Sequence, residues 1–445
     1  MKKSGTSRRE KGGLGPASKR VLDLDKKLVM QSFSRWYPMV VDRGEGMYVF
    51  DVDGRKYLDF NAGIAVLALG HSNPAVVESI TKQAQKLIHY SFTDFLYEPA
   101  VKLAEKLADI SPQGRDVRCY FGNSGAEANE AMIKAARWST RRPYIVANTG
   151  SFHGRTYGAM SLTASKPVQR RYFGPLVPGV EHVPYPYCYR CPFKMEPESC
   201  GLYCVDFVEE QLFNKHLPPE ETALFITEPI QGEGGYVPAP DDYLPKLKKL
   251  LDKHGVLLGV DEVQSGMGRT GKWFAVEHSK VVPDYVSVAK ALAGGMPLSA
   301  LIGRSELMSL DPGSHASTFG GNPVCCAAAC TVLDKITELR LLENAAKMGE
   351  YLVKRLRELQ ERFEQVGDVR GKGLMVGAEL VKDPTTKQPD RPGLEKTITE
   401  CWRRGLLLIG AGESVIRFAP PLIVSEREVD DAIETLDDVF SEVYG

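Results

Sequence analysis

Four short runs rich in valine, isoleucine and leucine constrain the fold of this chain more than any other feature. They read ALFITEPI (223–230), VLLGVDEV (256–263), DYVSVAK (284–290) and LSALIGR (298–304). Runs that are apolar on both faces are typical of buried parallel strands, and here they alternate with helical patterns from about residue 66 to 330. The sequence therefore predicts an α/β domain over 66–330, in which helices wrap a mostly parallel sheet.

Two further segments flank this domain. Residues 331–445 contain long charged helical patterns and short strand-like runs, which indicate a smaller α+β domain. In residues 1–65, two alternating runs on either side of Asp53 and Gly54 predict a β-hairpin. We expect this N-terminal segment to belong to the smaller domain, so that both ends of the chain build it. Residues 1–20 are basic and rich in glycine and serine, and they predict a solvated tail.

The charge balance argues against binding of nucleic acid or of an anionic membrane. The 445 residues carry 56 basic and 57 acidic side chains, for a formal net charge of −1. Such a chain has no general field that attracts polyanions. No stretch approaches the ~20 apolar residues of a membrane-spanning helix. We therefore expect a cytoplasmic protein with no nucleic-acid or membrane partner.

Charged side chains stand where three of the predicted strands end. Glu228, Asp261 and Lys290 each close one apolar run. Because the carboxyl ends of parallel strands face one crevice, we expect these groups to meet there. An amine and a carboxylate are what pyridoxal phosphate requires: the amine binds the aldehyde as a Schiff base, and the acid keeps the ring nitrogen protonated. Taken singly, each residue could equally be an ordinary loop side chain or a helix cap.

A second motif, FGNSGAEANEAMIKAAR (121–137), places small residues before a helix. Apolar residues recur three and four positions apart from Ala128 to Ala136. The free amides and the positive dipole end at the start of such a helix suit a phosphate group. Ser124 and Glu127 could instead form only a capping box, although the two functions are compatible.

A third motif, NTGSFHGRTYGAMSLTAS (148–165), contains aromatic residues beside a glycine. Phe152 and His153 could lie on the face of a planar cofactor, or they could be core aromatic residues at a turn. Arg155 is a candidate partner for a substrate carboxylate, because a guanidinium binds a carboxylate through two parallel hydrogen bonds. It could also be an ordinary surface arginine.

Together these motifs resemble the class III (ω-amino) aminotransferases of pyridoxal-phosphate fold type I. The resemblance rests on SGAEANEAMIKAAR, SFHGRTYGAMSLT, ITEPIQGEGGY, GVDEVQSGMGRTGKW, AKALAGGMPLSA, HASTFGGNP and IRFAPPL, which follow in order from about residue 35 to 440. It implies an α/β fold with a mostly parallel seven-stranded sheet, a smaller α+β domain, and pyridoxal 5′-phosphate as the cofactor. The motifs are specific for the family and much less specific for the substrate.

The resemblance also implies roles around the cofactor. Lys290 would hold it covalently and then shuttle a proton, while Asp261 would pair with the ring nitrogen. Val263 would pack on the ring face opposite Phe152. The other implied contacts are Gln264 at the phenolic oxygen, His153 and Glu228 in the same site, and Ser124, Gly125, Ala126 and Thr318 at the phosphate. Because Thr318 would come from a second subunit, a homodimer with shared active sites, or a higher oligomer, is expected.

Four residues are implied to recognise the substrate. Arg417 resembles the family's α-carboxylate clamp and Glu233 its switchable partner, while Arg155 would hold a second carboxylate. Ile64 falls where ornithine-type members often have a tyrosine, which slightly favours 4-aminobutyrate. These features imply a transaminase that moves an amino group from an ω-amino acid to 2-oxoglutarate by a ping-pong mechanism.

Alternative functions remain open at this point. Acetylornithine and related N-blocked diamines are alternative amine donors. An amino-acid racemase or epimerase of the same family would use the same lysine, aspartate and phosphate site. A non-catalytic ligand-binding descendant is a remote alternative, because it would have little reason to retain both Lys290 and Asp261.

A cysteine-rich segment, CYRCPFKMEPESCGLYC (188–204), departs from many members of the family. Its two close pairs, Cys188 with Cys191 and Cys200 with Cys204, could form disulfides, remain free thiols or bind a metal. We assign no metal site.

Overall fold

The N-terminal segment begins with a helix that the sequence does not predict. The structure, a computed structural model, describes residues 15–445; residues 1–14 of the predicted tail lie outside the described residues. The tail prediction is wrong for residues 15–20, because they open helix α1 (Pro16–Leu28). The carboxylate of Asp53 accepts hydrogen bonds from the Gly15 amide (3.1 Å) and from the Ser18 hydroxyl, and this contact ties the helix start to the hairpin turn.

A small sheet follows this helix. It contains β1 (Val41–Glu45), β2 (Tyr48–Asp51) and β3 (Lys56–Asp59), and it is followed by the short helix α2 (Ala62–Ala65). Strands β2 and β3 pair antiparallel, which confirms the predicted hairpin. Gly54 in the turn has φ +80°, a conformation that favours glycine.

The central part of the chain builds a seven-stranded sheet with its helices. In chain order it contains α3 (Pro74–Lys86), α4 (Glu98–Ile110), β4 (Val117–Gly122), α5 (Gly125–Thr140), β5 (Tyr144–Asn148), α6 (Tyr157–Leu162), β6 (Val180–Val183), α7 (Tyr203–Phe207), β7 (Thr222–Thr227), β8 (Ile230–Gln231), β9 (Val237–Pro238), α8 (Tyr243–His254), β10 (Leu257–Asp261), β11 (Tyr285–Val288), β12 (Ser299–Arg304) and α9 (Pro323–Glu338). Helix α9 runs across residue 330, the predicted domain boundary.

The sheet has the order β4-β12-β11-β10-β7-β5-β6. All neighbours are parallel except β12, which runs antiparallel to both β11 and β4. The prediction of a mostly parallel seven-stranded sheet is therefore confirmed. Strands β7 and β11 are buried along their whole length, which explains why their sequences are apolar on both faces.

The C-terminal part adds a second α+β unit. It contains α10 (Leu341–Arg362), β13 (Val366–Lys372), β14 (Met375–Asp383), β15 (Gln388–Pro389), α11 (Arg391–Arg403), β16 (Leu406–Leu407), β17 (Ile409–Ala411), β18 (Val415–Phe418) and α12 (Glu426–Tyr444). Strands β13, β14, β18 and β17 form one sheet, with β15 at the side of β14. Strand β16 instead pairs parallel with β3, so the two ends of the chain share a sheet.

Helix α5 is positioned by close packing on the large sheet. Met132 on this helix is fully buried, and Gly259 of β10 lies directly beneath it. A Cβ at position 259 would come 2.4 Å from the Met132 sulfur, so only glycine allows this approach. The packing holds the N-terminus of α5 beside the carboxyl ends of β10 and β11. None of the helices between residues 15 and 445 combines the length and apolar character needed to cross a lipid bilayer.

Candidate active site

A cavity of about 400 Å³ opens where β7, β10 and β11 end. Most of the site residues predicted from the sequence line it: Ser124, Gly125, Ala126, Phe152, His153, Arg155, Glu228, Glu233, Asp261, Val263, Gln264 and Lys290. The parallel strands thus bring together residues that are far apart in the chain, as expected for the carboxyl edge of such a sheet.

Three predicted residues lie elsewhere. Arg417 on β18 is buried behind Glu233 and does not line the cavity. Ile64 is 45% exposed, and Val66 lines the cavity in its neighbourhood. Thr318 is exposed on the loop before α9, outside the cavity of its own chain. The roles assigned to Ile64 and Thr318 therefore stay predictions.

Asp261 is held by three hydrogen bonds at the end of β10. One carboxylate oxygen accepts from Asn129 Nδ2 (2.7 Å) and is 2.8 Å from His153 Nδ1, while the other accepts from the Val263 amide (3.0 Å). A carboxylate that is only 4% exposed requires such partners. Burial opposes protonation of His153, but the hydrogen bond and charge of Asp261 outweigh it and raise the pKa of His153.

Lys290 follows β11 in a strained conformation. Its φ of +39° lies in the left-handed region, which is costly for a residue with a side chain and is often retained at functional sites. Burial, together with the positive charge of Arg417, lowers the pKa of Lys290 to about 8. The amine therefore loses its proton far more readily than an exposed lysine does, as a nucleophile or a base requires.

Glu228 joins two loops of the cavity wall. Its carboxylate accepts hydrogen bonds from the amides of Phe152 (3.1 Å) and Gly232 (3.0 Å). Burial raises the pKa of Glu228 to about 7, because the charged form loses its hydration. The residue thus fixes the position of the aromatic ring at 152 relative to the loop that carries Glu233.

The start of α5 has the features of a phosphate cradle. Ser124 caps the helix and forms a capping box with Glu127. The next amides, those of Gly125 and Ala126, belong to the first turn, where amides have no partner within the helix. A Cβ at position 125 would lie 2.7 Å from Val263 Cγ1, so glycine is required where the helix start meets this valine. The capping box leaves the amides of Gly125 and Ala126 free for an anion, and their predicted role at the phosphate stays a prediction.

Glu233 lies between two cations. Its carboxylate is 2.5 Å from Lys166 Nζ and 3.6 Å from Arg417 Nη2. Burial alone would raise the pKa of Glu233, but the charges of Arg417 and Lys166 outweigh it and lower this pKa. Arg155, an exposed residue that also lines the cavity, places its guanidinium 5.0 Å from the centre of the Phe152 ring.

Sequence reasoning missed several residues of this site. Asn129, which holds Asp261, lies one helical turn after Gly125, and that spacing could have revealed it. Lys166 and Tyr236 lie in irregular segments with no periodic signal; the Tyr236 hydroxyl donates to Gln264 Oε1 (2.8 Å). An apolar wall was missed as well, and it comprises Val66, Met296, Pro297 and Leu298.

The cysteine-rich segment lies apart from this cavity. All nine cysteines of the chain are free thiols in the structure, including Cys188, Cys191, Cys200 and the buried Cys204. Within residues 15–445, no three or more histidine, cysteine or acidic side chains are arranged to hold a metal ion.

Comparison with known proteins agrees with the geometry of the cavity. Residues 30–440 match the family model of class III aminotransferases. The chain is 43% identical to an isoleucine 2-epimerase of Lentilactobacillus buchneri, over 97% of this chain and 96% of the relative. It is 42% identical to a leucine/methionine racemase of Thermococcus litoralis, over 94% and 96% of the two chains.

Aminotransferases are nearly as similar. An acetylornithine aminotransferase of Archaeoglobus fulgidus is 41% identical over 93% of this chain and 99% of the relative. Among solved structures, an aminotransferase of Bacillus anthracis superposes with a TM-score of 0.89 at 33% identity, covering 97% of this chain and all of the other.

Proposed function

Because the chain belongs to the class III aminotransferases, a family of pyridoxal 5′-phosphate enzymes, we propose that it interconverts the stereoisomers of an apolar α-amino acid, as a racemase or epimerase. The observation that carries this proposal is the ion pair of Glu233 with Lys166, at 2.5 Å, which leaves Arg417 at the longer distance of 3.6 Å.

This ion pair bears on which substrate carboxylate can bind. A substrate that enters through a distal amino group requires Glu233 to neutralise Arg417. Here the tighter partner of Glu233 is Lys166, and Arg417 is 6% exposed with a buried Nε that has no hydrogen-bond partner. Arg417 keeps the longer contact with Glu233, and a buried cation with an unpartnered N–H group favours an incoming anion. The arrangement therefore suits an α-carboxylate at Arg417, which would direct the α-carbon toward Lys290.

The apolar wall supports an apolar side chain on that substrate. Val66, Met296, Pro297 and Leu298 line the cavity without a charge of their own. Pockets of this composition favour hydrophobic groups, which gain free energy on leaving water. Two of the relatives named above act, by their names, on isoleucine and on leucine or methionine.

The residues of the cavity fit the family's cofactor. Its buried amine, its buried carboxylate and its helix N-terminus with Gly125 match the aldehyde, the ring nitrogen and the phosphate. When bound, pyridoxal phosphate supplies an electron sink that acidifies the bond between the α-carbon and its hydrogen. Asp261, oriented by Asn129 and His153, would stay next to the ring nitrogen.

The reaction is decided by where one proton goes. Lys290 Nζ would accept the proton from the α-carbon, and its lowered pKa of about 8 suits it for both uptake and release near neutral pH. Return of a proton to the opposite face of the same carbon inverts the stereocentre, whereas return to the original face restores the substrate. Return to a different carbon would instead lead to transamination.

Transamination to 2-oxoglutarate is the second candidate. Arg155 favours it, because a further cation that lines the cavity can hold the second carboxylate of a dicarboxylic keto acid. The amine donor would then be 4-aminobutyrate, ornithine or acetylornithine, and the last is the substrate that the name of the Archaeoglobus relative gives.

A deuterium experiment separates the two reactions. The holoenzyme is incubated in D2O with L-isoleucine, L-leucine or L-methionine and no keto acid, and the products are resolved by chiral chromatography and mass spectrometry. We expect the inverted isomer to accumulate with one deuterium at the α-carbon, and the variant Lys290→Ala to form none. Glutamate formation from 2-oxoglutarate and 4-aminobutyrate, without any inversion of the three amino acids, would establish transamination instead.

We also propose a homodimer in which Thr318 of one subunit completes the phosphate site of the other. An exposed aromatic residue next to Thr318 supports it: Phe319 is 60% exposed, and its ring lies 5.1 Å from that of the half-buried His89. Mixing inactive Lys290→Ala with inactive Thr318→Trp should restore activity, because mixed dimers contain one native site. No recovery in mixed dimers would show that each site is built by one subunit.

A further inference from the structure

Tyr236 is a fully buried residue whose hydroxyl contacts a residue that lines the cavity. Its side chain has no exposed surface, and its hydroxyl donates a hydrogen bond to Gln264 Oε1 (2.8 Å). Burial raises the pKa of Tyr236, although the charges of Arg417 and Arg269 oppose this and that of Glu233 adds to it. The hydroxyl therefore keeps its proton at neutral pH.

This hydrogen bond orients the side chain of Gln264. The hydroxyl donates its proton to Gln264 Oε1, so the carbonyl end of the amide faces the tyrosine. With its carbonyl oxygen occupied, Gln264 has its amide N–H groups left for the cavity that it lines.

The backbone holds the tyrosine in a conformation that it would not adopt freely. Tyr236 has φ +49°, in the left-handed region, which is rare for a bulky residue. Arg370 donates to the carbonyl oxygens of Gly235 (2.7 Å) and Tyr236 (3.1 Å) and so secures this turn. Such backbone strain persists only where many surrounding contacts hold the residue in place.

We propose that Tyr236 is a positioning residue that orients the amide of Gln264 toward the cofactor. This role rests on the cofactor that the family uses and not on the reaction proposed above, so it holds for a racemase and for an aminotransferase alike.

A spectroscopic pH titration tests the orientation. A donor at the phenolic oxygen favours its deprotonated form, so the loss of that donor raises the midpoint of the absorbance transition of the bound cofactor. In Tyr236→Phe we expect a rise of about half a unit to one unit. The matched control is Tyr185→Phe, since the Tyr185 hydroxyl bonds only to backbone carbonyls of residues 228, 229 and 237 and should leave the midpoint unchanged. An unchanged midpoint in Tyr236→Phe, or an equal rise in both variants, would overturn the proposal.

A double variant tests whether Tyr236 acts through Gln264. In a Gln264→Ala background, Tyr236→Phe should cause no further shift of the midpoint, because the residue through which it acts is absent. Additive shifts would show that the tyrosine acts by another route. Thermal melting of each apoenzyme and holoenzyme checks that the folded state is retained.

Discussion

Lys290 should titrate as an amine of unusually low basicity, and this property can be measured through the rate at which the apoenzyme captures pyridoxal phosphate. Its pKa of about 8 lies well below the usual 10.5 because burial disfavours the charged form and Arg417 repels it. At pH 7 about a tenth of the molecules would then hold an uncharged amine, against about 0.03% for an ordinary lysine. The difference amounts to a factor of roughly 300 in the reactive species.

The assay follows the visible absorbance of the captured cofactor after rapid mixing, at a series of pH values from 6 to 10.5. The rate should rise with pH as the amine loses its proton and should level off above about 8. Borohydride reduction and peptide mapping assign the captured group to Lys290. Because the cofactor itself also titrates, the decisive measurement compares variants in which only the protein differs.

Arg417 supplies that comparison. Replacement by glutamine removes a positive charge that lowers the pKa of Lys290, so the midpoint of the capture rate should move upward. Replacement by lysine retains the charge and serves as the control, with a midpoint close to that of the wild type. A midpoint near 10.5 in the wild type, or the same midpoint in the glutamine variant, would refute the reasoning from burial and charge.

Three other predictions concern stability, the cofactor and the substrate. Burial raises the pKa of Glu262 to about 7, above its value in the unfolded chain. The protonated form of Glu262 therefore stabilises the fold at low pH. This contribution to the unfolding free energy, on the order of 3 kcal/mol, is lost as pH rises through 7. Glu262→Gln should therefore flatten the fall in unfolding free energy between pH 5 and 8 in urea titrations, and an unchanged slope would contradict this. Gly125→Ala places a Cβ 2.7 Å from Val263 and should weaken cofactor binding by about 1–3 kcal/mol in equilibrium dialysis, with partial recovery when Val263→Ala is added. Lys166→Met should free Glu233 to pair more closely with Arg417. In single-turnover measurements, the preference of the enzyme should then shift from α-amino to ω-amino substrates. An unaltered preference would remove the basis of the proposed function.

The residues on the cofactor side of the site could be predicted from sequence because the parallel sheet brings them to one edge. Strands buried on both faces have continuous apolar runs, and whatever follows them must gather at one edge. Glu228, Asp261 and Lys290 were found in this way, although they are separated by 33 and 29 positions in the chain. The glycine at 125 was identified by the helix that follows it.

Contacts between irregular segments could not be predicted. Lys166 reaches Glu233 across 67 positions, and no periodicity links a loop after α6 to a loop after β8. The helix at residues 16–28 was missed for a related reason, since the carboxylate that ties down its first turn belongs to Asp53. The position of Thr318 in an active site is difficult to predict for another reason, because one chain does not define which subunit's site this residue completes.

The division between predictable and unpredictable residues coincides with the division between shared and specific chemistry. In the proposed function, racemisation and transamination would both begin with one proton moving to Lys290 Nζ, so both would need the same amine, the same acid and the same phosphate cradle. Motifs for those groups identify the family and cannot separate its reactions. The two reactions would differ in where the proton returns and in which carbon the substrate presents. The second of these would depend on the charges of Lys166, Glu233 and Arg417, which meet through loop packing and β18. Relatives of about 40% identity accordingly include, by their names, an epimerase, a racemase and an aminotransferase.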